Sequence, residues 1–546
     1  METSWNYADV WEAVAAEQPD APALVQGRRR ITWADMNRRA EGIGSWLLEE
    51  GIERQEAVAL YLTNCPEYLE ATFGIFKVAG VPVNTNYRYV DDELVQLWEN
   101  ADASTVVFHG SFSERVERIR ERVRRVRSWL WVDDGSGPCP SWAASYEHAA
   151  ESAVGRAKCP WSRSPDDLVL LYTGGTTGLP KGVMWRQDDL FARMNGSGFR
   201  RYDDSRGVEG VRESLRKNGP GMTLLPACPL MHGTGGFVAI ECLSEGGRVV
   251  LLDDRRFDAV GLFDTIDREQ VNGVVIVGDS FARPMLSALE EFPGRWNLSS
   301  LLGILSSGAM WSQEVKEGLL RHRPEMVLFD FFSSSEALGI GASMSSRDVA
   351  PTTGDFVPAP DVKVLGSDSR PLEPGSPEIG VLALAGRNPL GYYKDAETTA
   401  ATFRVVDGVR YSVPGDFARV LPDGTVHVLG RGSSSINTGG EKVFPEEVEE
   451  ALKTHPAVRD AAVVGVPDAR FGEVVVAAIE PSGEQEVDEA ELIEHVKQRL
   501  AGFKAPHWVR VVGTVGRSPS GKLDHQRHKA EASEWVRAAA ARKSRR

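Results

Sequence analysis

Residues 167–182, DLVLLYTGGTTGLPKG, constrain this chain more than any other stretch. Residues 168–171 are an unbroken apolar run of strand length, bounded by turn-forming residues, and read as a buried strand. Directly after it Thr173, Gly174, Gly175, Thr176, Thr177 and Gly178 concentrate hydroxyls and glycines, and Lys181 adds a cation behind Pro180. Glycines let backbone N–H groups approach a polyphosphate closely, threonine hydroxyls add donors and a lysine adds charge, so the segment reads as a phosphate cradle. It departs from the Walker arrangement, in which Gly precedes the Lys and Ser or Thr follows it where a helix starts. Here Pro180 precedes and Gly182 follows; the proline removes a donor and disfavours a helix, which predicts a mobile loop rather than a fixed nest. The competing reading, a Gly/Thr-rich surface turn, is weakened by the buried strand that delivers the loop.

At 546 residues the chain exceeds one ordinary domain, and one large and one small domain, or several, are expected. Apolar content of 42% and charged content of 26% are those of a soluble globular protein with a sizeable core. No apolar run reaches the length of a membrane span, and METSWNYADV carries neither a basic region nor an apolar signal core, so the expectation is a cytoplasmic protein with no integral membrane segment. The cysteines, Cys65, Cys139, Cys159, Cys228 and Cys242, are odd in number and lack a C-x-x-C pair, which argues against a disulfide scaffold or a zinc site. A net charge of −16 disfavours nucleic acid as a partner. The basic segment 114–127, ERVERIRERVRRVR, places Val116, Ile119, Val123 and Val126 at helical spacing and reads as an amphipathic helix with a solvated basic face rather than a membrane or anion site. The Ala/Arg/Lys-rich residues 537–546 read as a frayed tail.

Apolar runs at 57–62, 105–108, 222–225, 248–252, 273–277, 302–305 and 327–329 alternate with helix-like stretches, while 80–84, GVPVN, reads as a turn of the chain. This alternation predicts α/β layers with largely parallel sheets. Further segments mark candidate site residues. PLMHGTGG puts His232 at a strand end before Gly233 and Gly235; LSSGA ends another strand in Ser307, Gly308 and Ala309; DFFSSSE holds Phe332, Ser335 and Glu336; and SVPGD ends on Asp416. GRGSSSINTGGEK carries Arg431, Ser433, Gly439, Gly440 and Lys442 ahead of Pro445, which starts a helix with Glu446 and Glu447 in its first turn. RSPSGK places Lys522 in a Pro/Gly loop. Taken singly, a Gly-Asp or an SGK is an ordinary turn. Their order along one chain is what carries weight.

With the YTGGTTGLPKG loop among them, these ordered segments resemble the adenylate-forming superfamily of acyl-CoA synthetases, peptide-synthetase adenylation domains and beetle luciferases, from Tyr7 to about Lys529. The resemblance implies an α/β fold: a large N-terminal AMP-binding domain of layered sheets and helices over residues 1–430, and a small mobile C-terminal α/β lid over 431–546 with its hinge near Ser433. It implies ATP, Mg²⁺ and coenzyme A as cofactors and a small-molecule carboxylic acid as substrate. By the same resemblance the 173–178 loop and Lys181 hold phosphates, Ser307, Gly308 and Ala309 lie along the adenine, and Phe332 stacks on it. Ser335 bonds phosphate, Glu336 holds Mg²⁺, Asp416 accepts the ribose hydroxyls, and Arg431 contacts ribose and phosphate. Gly439, Gly440 and Lys442 line a pantetheine tunnel once the lid has rotated, and Lys522 bridges substrate carboxylate and nucleotide. His232, Gly233, Gly235 and Gly308 border the acyl group; Lys522, Glu336, Thr173 and His232 are the candidate catalytic residues. Three positions depart from the family pattern: Ser333 replaces a Gly, Pro414 a Thr, and Ser433 the usual Asp or Lys. The first leaves the path of that loop open.

A carboxylate is a poor electrophile, and converting it to an acyl adenylate supplies a leaving group; the cations and Glu336 are the groups such a step needs. The segments at 86–90, 181–186, 278–284 and 391–395 are similar to actinobacterial acyl-CoA synthetases of sterol side-chain degradation, and ligases of bulky aryl acids share the same skeleton. The expected function is an ATP-dependent acyl-CoA ligase that activates a bulky hydrophobic acid, a steroid side-chain or polycyclic aryl acid, as acyl-AMP and transfers it to coenzyme A. The alternatives are a stand-alone adenylation enzyme serving a carrier protein and a medium- or long-chain fatty acyl-CoA synthetase. A non-catalytic binding module would need neither Lys522 nor Glu336, and a homodimer stays open.

Overall fold

The structure is a computed structural model and describes residues 4–152, 155–173, 180–432, 434–438, 441–468, 470–483, 487–518, 521 and 523–543. Among these residues the strands form three sheets, of fifteen, eight and five. In the sheet of eight, Leu168–Thr173, Val81–Asn84, Ala57–Tyr61, Ala103–His109 and Ser128–Val132 run parallel in that order. Ala57–Tyr61, Val81–Asn84, Ala103–His109 and Ser128–Val132 are buried at every residue, as a parallel sheet covered on both faces requires. The 80–84 segment is therefore a central strand and not a turn: burial of Val81 and Val83 overrides the turn signals of Gly80 and Pro82.

Lys181–Arg186 pairs antiparallel with Leu168–Thr173 on one side, with Thr173 opposite Lys181, and with Gly391–Tyr392, the edge strand, on the other. Of the glycine-threonine loop, Gly174, Gly175, Thr176, Thr177 and Gly178 lie outside the described residues.

The largest sheet begins in parallel order with Pro22–Gln26, Arg248–Leu251, Thr223–Pro226, Gly273–Ile276, Gly303–Ser307 and Val327–Ser334. It then continues antiparallel through Ala337–Ser345, Asp355–Pro358, Val426–Arg431 and Asp416–Val420, so the expectation of largely parallel sheets holds for only part of it. The third sheet is built from Ile436–Thr438, Glu441–Val443, Val458–Asp468, Gly472–Pro481 and Trp508–Val511. Pro445–Lys453 and Glu489–Lys497 close its core with Val448, Leu452, Leu492 and Val496. The structure is a mixed α/β fold with a large N-terminal and a small C-terminal part.

Two sequence expectations change. The 114–127 segment is helical only over Ser113–Ile119, followed by a short turn at Arg120–Arg122, because residue 127 already pairs with Ser104 to feed the next strand. Val116, Ile119 and Val123 are buried as expected, and its arginines pair with acids, Arg118 with Asp91 and Arg122 with Asp92. The tail expected to fray is helical over His525–Lys543; residues 544–546 lie outside the described ones.

The two large sheets meet at Asn84. Its Nδ2 donates to the carbonyls of Tyr172 (2.8 Å) and Met231 (2.7 Å), and its Oδ1 accepts the N–H of Tyr172 (2.6 Å). Asn64 repeats the device, donating to Cys228 O (3.0 Å) and accepting from Leu230 N (2.8 Å). Removing the Asn84 amide strands three buried backbone groups, each worth about 1–3 kcal/mol when unpaired. Asn84→Ala should therefore lower the denaturation midpoint far more than substitution of an exposed polar residue; a shift indistinguishable from wild type in calorimetry would refute the clamp.

Candidate active site

Five strands end around one cavity of about 920 Å³. Leu168–Thr173 brings Thr173, the segment after Thr223–Pro226 brings Met231, His232 and Gly233, and Gly273–Ile276 brings Val277. Gly303–Ser307 brings Ser307 and Gly308, and Val327–Ser334 brings Phe329, Phe331, Ser333 and Ser334. This is where open parallel sheets bind ligands, outside the carboxyl ends of their strands. Alternation along Val327–Ser334 decides which aromatics face the cavity. Phe329 and Phe331 line it, whereas Phe332 lies on the opposite face, half-buried against Phe356 at 5.4 Å between ring centroids.

The small residues divide into two kinds. Gly308 has φ +92°, a left-handed conformation that favours glycine, and lines the cavity across from Thr234, whose Oγ1 donates to Ser307 O (3.4 Å). Gly233 also lines the cavity. Gly235 does not: a Cβ there would stand 2.5 Å from Pro229 O, so this glycine lets the Gly233–Ser244 helix pack on backbone and makes no room for a ligand. That corrects its expected place beside the acyl group. His232 is the N-cap residue of that helix and lines the cavity.

Glu336 is buried, and its Oε1 accepts the Tyr392 hydroxyl (2.8 Å) while its backbone carbonyl accepts the Ser412 hydroxyl (2.7 Å). Tyr392 also lies under Lys181, whose Nζ stands 5.5 Å from the ring centroid, pairs with Asp395 (3.1 Å) and donates to Thr398 Oγ1 (2.6 Å). One tyrosine thus links the candidate magnesium ligand to the candidate phosphate lysine. Sequence reading gave no role to Tyr392, Asp395 or Thr398, although the GYYKD segment was the visible signal. Ser335 lines the cavity and its carbonyl accepts Trp185 Nε1 (3.0 Å). The unusual Ser333 has its own use, its Oγ accepting the N–H of Gly339 (3.0 Å) to close the hairpin that carries Glu336.

Asp416 and Arg431 are cross-strand partners, and Arg431 Nε donates to Asp416 Oδ1 (3.2 Å). Ser433, Gly439, Gly440 and Lys522 lie outside the described residues, as does the side chain of Lys442, whose backbone is in the Glu441–Val443 strand. The residues on either side of position 522 are placed. Gly521 packs on the main body, where a Cβ would meet Ser280 Oγ at 2.9 Å and Ala309 Cβ at 3.1 Å, and Arg517, Leu523, Asp524 and Arg527 line the cavity. Ala309 contributes to that seat rather than to the cavity lining. Among the described residues no group of three or more His, Cys, Asp or Glu side chains forms a metal cage.

Glu446 sits at the same boundary, in the first turn of Pro445–Lys453 and against Gly430. Burial, with Glu449 and Asp416 adding repulsion, pushes its carboxyl up to about 8, and its Oε2 has no hydrogen-bond partner among the described residues. A value raised in the folded state favours the protonated form. The stabilisation is complete below the ordinary carboxyl value of about 4.3 and is lost as pH rises through about 8. Glu446→Gln removes the titration, so it should raise the melting temperature more at about pH 9 than at about pH 5. Equal shifts at both pH values would overturn the assignment.

The family model described as AMP-binding enzyme matches residues 11–393, and that described as AMP-binding enzyme C-terminal domain matches residues 447–522. A 3-oxocholest-4-en-26-oate–CoA ligase of Rhodococcus rhodochrous is 39% identical over 532 residues, 95% of each chain. A medium/long-chain-fatty-acid–CoA/3-oxocholest-4-en-26-oate–CoA ligase of Mycolicibacterium smegmatis is 38% identical over 533 residues, again 95% of each. Among solved structures, an anthranilate CoA ligase in complex with anthranoyl-AMP superposes with a TM-score of 0.82 at 22% identity, covering 98% of this chain and 99% of that one, a likeness of fold.

Proposed function

Because the chain belongs to the AMP-binding enzyme family, we propose that it is an AMP-forming acyl-CoA ligase that activates a bulky hydrophobic carboxylic acid, a steroid side-chain or polycyclic aryl acid, with ATP and passes the acyl group to coenzyme A. The observation that carries the substrate reading is the cavity. Its walls include the apolar side chains of Phe199, Phe237, Phe329, Phe331 and Leu338. Relatives named for both steroid and fatty acids favour medium- and long-chain fatty acids as a second substrate class.

In this reading the acid enters with its carboxylate toward Thr173, Ser307 and Gly308 and attacks the α-phosphorus of ATP in line, displacing pyrophosphate. No protein nucleophile is needed; the chain positions the reactants and offsets charge. Lys181 exchanges Asp395 and Thr398 for phosphate oxygens, Arg431 and Asp416 hold the ribose side, and Phe332 stacks on the adenine from the face of its strand opposite the acyl cavity. Glu336, with Oε1 held by Tyr392, would supply carboxylate oxygen to a Mg²⁺. Bound there, Mg²⁺ would offset negative charge on the phosphates.

The lid, residues 431–546, turns about Ser433 between the two half-reactions. The seat of Gly521 on Val277, Ser280 and Ala309 fits the arrangement that delivers Lys522 to the carboxylate. After rotation Gly439, Gly440 and Lys442 would border the pantetheine arm, whose thiol attacks the acyl carbon and releases AMP.

Pyrophosphate release with ATP and a panel of acetate, octanoate, a substituted naphthoate and a steroid side-chain acid, with and without coenzyme A, tests the reading. Preference for acetate, or turnover indifferent to coenzyme A, would sink it. Lys522→Ala should slow adenylate formation by about a hundredfold or more while thioester formation from supplied acyl adenylate stays within about tenfold. Equal loss in both half-reactions would overturn the two-position lid. Tyr392→Phe, which frees Glu336 Oε1, should raise the Mg²⁺ concentration needed for half-maximal pyrophosphate release; an unchanged Mg²⁺ curve would remove Tyr392 from the site.

A further inference from the structure

The 278–284 segment and the lid helix Pro445–Lys453 face each other with charges that the chemistry above does not use. Gly278 has φ +52°, and a Cβ there would stand 2.2 Å from Met310 O, so this glycine brings the start of the Asp279–Glu291 helix against residues 309–312. Asp279 is fixed by that approach. Its N–H donates to Met310 O (3.1 Å), and its Oδ1 accepts both the N–H (2.9 Å) and the hydroxyl (3.0 Å) of Ser312. Its Oδ2 accepts Arg283 Nε (3.2 Å) and stands 3.8 Å from Lys453 Nζ. Lys453 ends the lid helix with its side chain 5% exposed, and its Nζ also meets Met310 Sδ at 3.8 Å. Glu450, 3.6 Å from the same Nζ, lies on the same helix and travels with it, whereas Asp279 and Met310 belong to the N-terminal part. The loop that carries Lys522 rests on this corner too. Arg517 pairs with Asp460 through Nε (2.7 Å) and Nη2 (2.9 Å) and donates to Gly521 O (3.2 Å), while Gly521 sits against Val277, Ser280 and Ala309.

Resting on the ligase reading above, we propose that Asp279 and Lys453 are positioning residues for adenylate formation, an ion pair across the two parts that holds the lid where its 517–523 loop reaches the cavity. Each charge sits at the end of its helix that the dipole favours, Asp279 at an N-terminus and Lys453 at a C-terminus. Removing one member of a buried pair costs more than the pair itself contributes, because the other charge is left without compensation. The two members are therefore unequal. Asp279→Asn keeps an acceptor for Ser312 but leaves the Lys453 ammonium seated against a neutral amide, which drives the lid off. Lys453→Met leaves Asp279 bonded to Ser312 and Arg283, and the lid still seats through its packing. Combined, the two substitutions leave no charge unmatched across the contact.

The two half-reactions use opposite positions of the lid, so the ratio of their kcat/KM values, thioester formation from supplied acyl adenylate over adenylate formation, follows the lid equilibrium. Asp279→Asn should raise that ratio by about tenfold or more, and adding Lys453→Met to it should return the ratio to within about threefold of wild type. An unchanged ratio in Asp279→Asn, equal loss in both half-reactions, or failure of the second substitution to restore the ratio would overturn the proposal. Hydrogen exchange of the ligand-free protein reads the same contact without turnover. Asp279→Asn should speed exchange at residues 309–312 and 515–518 with the Gly273–Ile276 strand unchanged, and the double variant should restore protection. Faster exchange in that strand as well marks a general loss of stability and overturns the lid assignment. Wild type inactive on every acid, with the exchange pattern as expected, fails the ligase reading and leaves the ion pair as the seat of the lid.

Discussion

The arrangement depends first on a buried amide. Asn84 ends a parallel strand of one sheet and bonds both the neighbouring strand, at Tyr172, and the Met231 carbonyl of a segment leaving the other sheet. Two sheets packed only through apolar side chains could slide on one another, since hydrophobic contact is non-directional. Three hydrogen bonds from one fully buried side chain admit one relative position, and the low dielectric around them raises the cost of any other. Asn64 fixes the same segment from the next strand end. Thr173, His232 and Gly308 face one cavity because the backbone beneath them is pinned before any ligand arrives.

Charge is handled on the same principle of pairing before binding. The chain is acidic overall, yet a polyphosphate needs cations at the site. Lys181 is held by Asp395 and Thr398 over the ring of Tyr392, and Arg431 by Asp416, so each of these two cations has a carboxylate partner. At the boundary with the small part the logic is reversed. Glu446 is buried against Gly430, with other carboxyls near and no partner for Oε2 among the described residues, which leaves that contact weaker as its proton is lost.

How far the sequence spoke depended on how local each signal was. Parallel strands such as Leu168–Thr173 and Thr223–Pro226 announced themselves because strands covered on both faces are apolar at consecutive residues. The antiparallel run from Ala337–Ser345 to Val426–Arg431 was not legible, because strands with one solvated side alternate and carry many turn residues. Val81–Asn84 was misread because Gly80 and Pro82 are turn signals that only burial between two strands overrides. The helix expected over 114–127 kept its buried face at Val116, Ile119 and Val123 but stopped early, since periodicity carries no information about where the next strand must begin. At the site, His232, Ser307, Gly308 and Glu336 were legible as motif residues. Tyr392, Asp395 and Asn84 were not, because they act through partners 56, 214 and 88 residues away in the chain.

Gly235 shows why composition alone cannot size a cavity. Four small residues in a row, Gly233 to Gly236, look like space left for a ligand, but two of them face backbone: Gly235 toward Pro229 and Gly236 toward Leu230. They set how closely the helix approaches the strand end, and that approach aims its other face, with Phe237 and Val238, into the cavity. The rest of the wall includes Phe329 and Phe331, whose rings stack with centroids 6.1 Å apart, together with Gly198 and Gly308. A bulky substituent at Gly235 would therefore alter specificity only by displacing the helix, and with it every residue on that face at once. The width of this cavity is set by helix placement before it is set by any one lining side chain.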